Sequence, residues 1–323
     1  MQTCLTRLLV VAFCLSNAPF VVAQTDPKIP GLIRIVVPFS PGGSNDVIAR
    51  AIGPLLAKKL GSTVVIENKP GASGIIGGEA VAKGTPDGSV LLLTSSSLLT
   101  AAATLPKMPY DVSRAFSPVA MVASGPLLLV VPATAPYKTP ADLVATAKAR
   151  PGALTYGTAG VGSVAQLATE MMSDAAKISL LHVPYKGAAN ALIDLSGGQI
   201  DIMVTNYSSV VSQIKAGRIK ALGITSKQPS PSFPDLPSLS SAAPGFAIDI
   251  WVGVLAPAGT PAALVQRLNQ DINEIASSPE LRKLLDPDGA IPSPMSPTAF
   301  GLRMAEDLSV WKKIASDKKI VAE

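Results

Sequence analysis

Short apolar runs alternate along this chain with stretches in which apolar residues recur every three or four positions. The first run, residues 33–37, leads into a polar loop, and the helical spacing then begins. Its apolar positions are Val47, Ile48, Ala51, Ile52, Leu55 and Leu56. A short apolar run is typical of a buried strand, and this spacing indicates one face of a helix. We expect a kink or an early end at Pro54, because proline lacks the backbone donor that a helix interior needs.

The same construction returns in the middle of the chain. We predict a short strand over residues 154–157; residues 158–163 form a Gly/Ser-rich loop, and a helical pattern follows. A further strand ending in a glycine turn comes after each helix, as STVVIENKPG and as ISLLHVPYKG. Strands that alternate with helices predict an α/β architecture with largely parallel sheets. The repeated plan predicts two lobes with a site between them. The buried face of the second helix would hold Val164, Leu167, Ala168, Met171 and Met172.

Four helix starts carry capping signals of a structural kind. In each, a hydroxyl residue precedes proline, which suits the N-cap and the first helical position. We interpret Asp142, three residues after Thr139, as the second half of a capping box. The four pairs are Thr139-Pro140, Thr260-Pro261, Ser278-Pro279 and Ser296-Pro297.

The first residues have the pattern of an export signal. Arg7 precedes the apolar run 8–15, and residues 21–23 read Val-Val-Ala, which is typical of a cleavage site. The run is shorter than the roughly 20 residues that span a bilayer. We therefore predict a signal peptide over residues 1–23 and a periplasmic mature chain. Both cysteines, Cys4 and Cys14, lie in that segment, so the mature chain would hold no disulfide and no Cys-ligated metal.

Composition excludes several classes of function. The net charge of +5 is spread along the chain without a Lys/Arg block, and aromatic residues make up only 4%. Neither feature suits nucleic-acid binding. A single histidine, His182, excludes a multi-histidine metal site, and its place in an apolar strand favours a structural role. We expect no metal, no cofactor and no nucleic-acid partner.

The two Gly/Ser-rich loops, residues 40–44 and 158–163, have the chemistry of anion sites. A helix N-terminus offers unpaired N–H groups and a partial positive charge, glycine permits close approach, and hydroxyls add donors. Neither loop contains the G-x-G-x-x-G or G-x-x-x-x-G-K-[ST] pattern of nucleotide sites. Either loop alone could be a tight structural turn. Because the two lie in matching places, we expect an anion with two acidic ends, one for each lobe.

Five segments, in order, resemble the Bug-type solute receptors of tripartite tricarboxylate transporters. They are VVPFSPGGSNDVIAR, VVIENKPGASGIIGGEAVAKGTPDG, TYGTAGVGSVAQLA, VPYKGAANALIDLSGGQIDIM and WVGVLAPAGTPAALVQRLNQDI. The resemblance implies an α/β, two-lobed periplasmic binding protein of the Venus-flytrap, type II-like kind, monomeric, with a ligand cleft between the lobes. It also implies a receptor without catalysis that captures a small carboxylate, with di- and tricarboxylates expected first, and delivers it to membrane permease subunits. We place lobe 1 at 24–127 and 253–323 and lobe 2 at 128–252, with crossings near 127–131 and 251–255.

The same resemblance implies the ligand-binding residues. They are Phe39, Ser40, Pro41, Gly42, Gly43, Ser44, Asn45 and Asp46 in the first loop, Thr94, Ser95, Ser96 and Ser97 after the third strand, Gly160, Val161, Gly162, Ser163 and Gln166 in the second loop, and Thr205 and Asn206 at a later strand end. We interpret Asp46 as a residue that pairs with backbone amides and orders its loop.

Two of these positions depart from the family pattern. Many members have histidine where this chain has Gln166 and an acidic residue where it has Thr205. On a helical wheel Gln166 lies opposite the apolar stripe, so we expect it outside the core and facing the cleft. Asp201 should be remote from the cleft, and we interpret Lys69 and Lys186 as solvated charges.

Two other functions remain as alternatives. A secreted serine hydrolase would need a loop serine and His182, but the chain has no G-x-S-x-G elbow. A periplasmic sensor that binds a metabolite and contacts a signalling partner is not distinguished from a transport receptor by any motif.

Overall fold

The computed structural model describes residues 27–322, and the predicted signal peptide with both cysteines lies outside the described residues. The strands are β1 (Leu32–Val37), β2 (Thr63–Asn68), β3 (Val90–Ser95), β4 (Phe116–Gly125), β5 (Leu128–Pro132), β6 (Thr155–Thr158), β7 (Leu181–Pro184), β8 (Ile202–Thr205), β9 (Ile219–Ile224), β10 (Ile250–Pro257) and β11 (Ile291–Pro292). The helices are α1 (Ser44–Leu60), α2 (Ile75–Ala82), α3 (Ser97–Thr104), α4 (Pro140–Ala149), α5 (Val164–Ala176), α6 (Ala188–Ser196), α7 (Tyr207–Lys215), α8 (Ala262–Ala276), α9 (Pro279–Leu285) and α10 (Pro297–Asp317).

These strands form two separate sheets, which confirms the α/β prediction. The first sheet has the order β11-β4-β10-β3-β1-β2, and the second has the order β7-β6-β8-β5-β9. In each sheet the strands that precede the two Gly/Ser loops, β1 and β6, pair in parallel with their neighbours. The carboxyl ends of parallel strands meet at one edge, where ligands bind in open α/β sheets. The topology therefore places each Gly/Ser loop at the edge of its sheet where the carboxyl ends of the parallel strands meet.

The chain crosses between the sheets at two adjacent places. After β4 it passes through Pro126 and Leu127 into β5, and after β9 it returns to β10. The two passages are tied together, because the N–H of Leu127 donates to Thr225 Oγ1 (2.8 Å) and the N–H of Thr225 donates to the carbonyl of Leu127 (2.9 Å). Residues 250–252, which the sequence analysis assigned to lobe 2, pair with β4 in the first sheet. In the structure the return passage therefore ends before Ile250.

Helix α1 does not end early at Pro54. It continues to Leu60 and closes on Gly61, which has a φ of 65° that suits glycine. The buried residues Ile48, Ile52 and Leu56 stand on both sides of the proline and belong to the core of the first sheet. Burial of this stripe outweighs the lost backbone bond, so the predicted early end was wrong.

Three of the four predicted caps are present. Thr139 and Asp142 form a capping box, and the hydroxyls of Ser278 and Ser296 accept first-turn N–H groups. Thr260 does not cap α8, because its hydroxyl donates to the carbonyl of Pro257 (2.8 Å) and the helix begins two residues later. Over residues 27–322, no helix combines the length and the apolar character that a membrane crossing requires.

Candidate functional site

A cavity of about 650 Å³ lies between the two sheets. Its volume falls in the range of roughly 300–1,000 Å³ that small-molecule sites occupy. The wall contains first-turn residues of five helices, α1 and α3 beside the first sheet and α5, α6 and α7 beside the second, together with the crossing at Gly125–Leu127. The cavity thus lies at the carboxyl ends of parallel strands from both sheets, where a ligand was expected from the sequence.

Eleven of the predicted site residues line this cavity. They are Phe39, Gly42, Gly43, Ser44, Asn45, Ser95, Ser96, Ser97, Ser163, Thr205 and Asn206. The structure therefore brings both Gly/Ser loops, the end of β3 and the end of β8 to one wall, although these segments are up to 167 positions apart in the chain.

Helix starts supply the donors of the cavity. In the described chain no protein group accepts from the N–H groups of Ser44 and Asn45 in α1, of Ser97 in α3, or of Val164 and Ala165 in α5. The first amides of a helix carry a partial positive charge and bind anions without a cationic side chain. Helix starts with free amides on one cavity can therefore hold a carboxylate.

The eight other predicted residues do not line the cavity. They are Ser40, Pro41, Asp46, Thr94, Gly160, Val161, Gly162 and Gln166. Ser40, Pro41 and Val161 are exposed on the outer side of their loops, and Thr94 is buried within β3. Lys69, which pairs with Glu67 (3.1 Å), and the exposed Lys186 are also away from the wall.

Asp46 lies beneath the first loop and holds its shape. Its Oδ2 accepts from the N–H of Gly42 (2.9 Å) and from Arg50 Nε (2.9 Å), and its Oδ1 accepts from Asn68 Nδ2 (2.9 Å). The hydrogen bond from Arg50 and the bond from Gly42 lower the pKa of Asp46 to about 2, although burial opposes the shift. The carboxylate thus orders the loop, as interpreted from the sequence, and both of its oxygens accept hydrogen bonds from within the protein.

This arrangement predicts a defined acid sensitivity. Because the pKa of Asp46 is lower in the folded protein than in the unfolded chain, its stabilisation is complete above about pH 4 and is lost as the pH falls toward 2. The variant Asp46→Asn should unfold more readily than the wild type at pH 7, and the difference should shrink between pH 4 and 2. Denaturant melts across this range measure it, and a difference that does not change with pH would contradict the assignment.

Gln166 is buried, with 6% of its surface exposed, so the expectation that it faces the cleft was wrong. Its Oε1 accepts from the N–H of Gly162 (2.8 Å), which leaves the amide nitrogen as a donor to His182 Nδ1 (3.1 Å). A helical wheel shows only that a position lies off the apolar stripe. Here the side chain turns back under its own loop, where a polar network takes the place of apolar packing.

That network fixes the state of the single histidine. Since His182 Nδ1 accepts from Gln166, the ring proton is on Nε2, which donates to Thr158 Oγ1 (2.7 Å). Thr158 in turn donates to the carbonyl of Gly160 (3.1 Å). Burial lowers the pKa of His182, and the nearby Glu170 opposes the shift only in part. The neutral imidazole therefore connects both ends of the second loop, and neither ring nitrogen contacts a serine.

A further part of the wall was not predicted from the sequence. Ser208 and Ser209 follow Asn206 at the start of α7, and a Ser-Ser pair after a predicted strand end could have indicated them. Leu284, Leu285, Asp288 and Ala290 line the opposite side. No local pattern marks this last segment, because only the tertiary fold brings it to the cavity.

The cavity has a simple electrostatic composition. Among its lining residues in the described chain, Asp288 is the one with an ionisable side chain, and the rest are apolar, hydroxyl, amide or glycine residues. Over the same residues 27–322, no group of three His, Cys, Asp or Glu side chains is arranged to hold a metal ion.

Comparison with known proteins gives consistent matches. The family model described as the tripartite tricarboxylate transporter family receptor matches residues 48–319. Protein BugT of Bordetella pertussis is 35% identical over 320 residues, which cover 97% of this chain and 98% of BugT.

Solved structures agree with this match. The periplasmic binding protein BugD is 31% identical with a TM-score of 0.75, covering 90% of this chain and 98% of its own. The R. palustris protein Rpa4515, solved with adipate, is 32% identical with a TM-score of 0.78 over the same shares of the two chains. The chain thus has the two-lobed α/β fold of periplasmic binding proteins and is a binding protein and not an enzyme, as the resemblance implied.

Proposed function

The chain belongs to the tripartite tricarboxylate transporter receptor family, and on that basis we propose that it captures a small carboxylate between its two lobes and delivers it to a membrane permease. The observation that carries the proposal is the convergence of helix starts with free amides on one cavity between the sheets. Three hydroxyl groups beside them, those of Ser44, Ser97 and Ser163, add adjustable donors.

This way of binding does not need a cationic side chain. A hydrogen bond to a charged group contributes about 1.5–3 kcal/mol net. Four such bonds at the upper end of this range sum to about 12 kcal/mol, which leaves the roughly 8 kcal/mol of a micromolar complex after an association cost of about 4 kcal/mol. The family resemblance adds three finer parts to the proposal: a periplasmic location, action as a monomer, and delivery to permease subunits.

A thermal-shift screen of the mature chain tests ligand capture. We expect one or more carboxylates to raise the melting temperature, since a ligand at 100 times its Kd stabilises by about 2.7 kcal/mol. The panel should hold mono-, di- and tricarboxylates, with the corresponding amides as uncharged controls. A panel in which no carboxylate stabilises the protein, or in which the amides do so equally, would overturn the proposal.

Delivery needs a separate measurement. Cells that lack this gene should lose uptake of the ligand found in the screen, and a copy of the gene with the signal peptide should restore it. If uptake is unchanged, the protein binds its ligand for another purpose, such as sensing.

A further inference from the structure

One of the five helix starts at the cavity is already occupied by a carboxylate of the protein itself. Asp288 lies in the 3₁₀ turn Asp286–Asp288, which follows α9 beside the first sheet. Its Oδ1 accepts from the N–H of Ser208, in the first turn of α7 beside the second sheet (2.6 Å). Asp288 therefore binds where a carboxylate of the ligand would bind if both lobes contributed in the same way.

The start of α7 thus differs from those of α1, α3 and α5. The N–H groups of Ser44, Ser97 and Val164 have no protein acceptor in the described chain. In α7 the N–H of Ser208 is taken by Asp288, and that of Ser209 donates to the carbonyl of Asn206 (3.2 Å). A ligand carboxylate has free donors at the starts of α1, α3 and α5, and also at Ala188 at the start of α6, but few at the start of α7.

The wall around Asp288 is apolar. Leu284, Leu285 and Ala290 come from the same segment, and Met203 from β8 lines the cavity as well. This wall accommodates hydrocarbon, and it provides no cation that could compensate a second negative charge. A charged group removed from water without a partner is costly, and a like charge nearby raises that cost.

We propose that the cavity selects a carboxylate with one acidic group and an uncharged, apolar body, and that Asp288 is the residue that disfavours a second carboxylate. The inference rests on the proposed function and narrows the ligand class that the family resemblance implies. The acidic group of the ligand binds at the starts of α1, α3 and α5. Its body extends along the wall of Leu284, Leu285 and Ala290.

The size of the expected discrimination follows from Coulomb's law. Two unit charges about 5–7 Å apart repel by roughly 2–3 kcal/mol at the effective dielectric constant of about 20 found near protein surfaces, and salt reduces this value. A discrimination of about tenfold against the dicarboxylate is therefore a conservative expectation, at about 1.4 kcal/mol per factor of ten.

Calorimetry with matched acids provides the test. Hexanoate and adipate have six carbons each and differ by one carboxylate, and benzoate and terephthalate form an aromatic pair. We expect the wild type to bind the monocarboxylate of each pair at least about tenfold more tightly than the dicarboxylate of the same pair. In Asp288→Asn the amide oxygen still accepts from Ser208 while the charge is gone, so the dicarboxylate should bind more tightly and the ratio of the dicarboxylate Kd to the monocarboxylate Kd should fall by about tenfold.

A matched control separates this local effect from a change in net charge. Asp286 is in the same turn but does not line the cavity, and Asp286→Asn changes the net charge equally. For Asp286→Asn the ratio of the dicarboxylate Kd to the monocarboxylate Kd should equal that of the wild type. Melting temperatures of both variants verify that the fold is retained.

Three results would overturn the inference while leaving carboxylate capture intact. The first is that the wild type binds a dicarboxylate as tightly as the monocarboxylate of the same pair. The second is that Asp288→Asn leaves the ratio of the dicarboxylate Kd to the monocarboxylate Kd unchanged. The third is that the ligand bound most tightly in the screen carries two carboxylates. Failure of every carboxylate in the screen would instead overturn the proposed function.

Discussion

Replacing Gly162 by valine should abolish ligand binding while both sheets remain folded. Gly162 has a φ of 78°, and a Cβ at this position would lie 2.5 Å from Thr104 Oγ1 and 2.9 Å from the Cβ of Ala322. Neither neighbour can move easily, because the hydroxyl of Thr104 donates to the carbonyl of Thr100 (2.8 Å) and the N–H of Ala322 donates to the carbonyl of Thr104 (3.0 Å).

The contact at Gly162 joins the two halves of the molecule. Thr104 ends α3, beside the first sheet, whereas Gly162 belongs to the second loop, which follows β6 of the second sheet. A valine side chain would hold the loop away from α3 and would separate the helix starts that share the cavity. We expect the Kd to rise by more than about 100-fold, because the free amides of α3 and α5 would no longer reach one carboxylate.

Gly198 supplies a control for backbone strain alone. Its φ of 73° is nearly that of Gly162, but a Cβ there meets nothing within 4 Å. Gly198→Val should lower the melting temperature through the left-handed backbone, which costs about 1–2 kcal/mol, and should retain the wild-type Kd. Equal affinities for the two variants, measured by calorimetry with the best ligand of the screen, would contradict the proposed contact.

Replacing Gln166 by leucine should lower the stability of the fold strongly. The leucine leaves the N–H of Gly162 and the Nδ1 of His182 without their partners in a buried region. A buried polar group without a partner costs about 1–3 kcal/mol, so the free energy of unfolding should fall by about 2–6 kcal/mol. Ligand affinity should fall at least about tenfold, because the second loop loses the bond that fixes it.

Gln199→Leu is the control for this change. Gln199 is exposed at the turn after α6, so the same substitution there should change stability by less than about 0.5 kcal/mol. Denaturant melts give the stabilities, and calorimetry gives the affinities. A Gln166→Leu variant as stable as Gln199→Leu would show that the loop does not depend on the network.

The pH dependence distinguishes this network from general packing. Burial lowers the pKa of His182 in the folded protein, with Glu170 opposing, while Tyr156 stacks on the ring with centroids 4.8 Å apart. A protonated Nδ1 cannot accept from Gln166. The contribution of the bond is therefore complete above about pH 6.5, the unfolded pKa, and is lost as the pH falls through the lower folded pKa. The stability difference between wild type and Gln166→Leu should shrink over that range.

The sequence by itself determined the strand–loop–helix units and the nature of their loops. Apolar periodicity gave β1 with α1 and β6 with α5, because a strand or helix must bury one face in any fold. Glycines and hydroxyl residues at the helix starts marked the anion-binding segments, since free amides at a helix start are a local property. The segment-by-segment resemblance then supplied the family and eleven of the residues that line the cavity.

Only the tertiary structure decided where side chains point and which distant segments meet. Gln166 turns inward because its partners, Gly162 and His182, come together only in the folded lobe. Asp288 is 80 positions from Ser208, and no local pattern relates the two. Hydrogen bonds across such separations depend on how the sheets pack, and packing is a property of the whole chain. For that reason the sequence indicated an anion site, whereas the fold placed a carboxylate of the protein at one end of it.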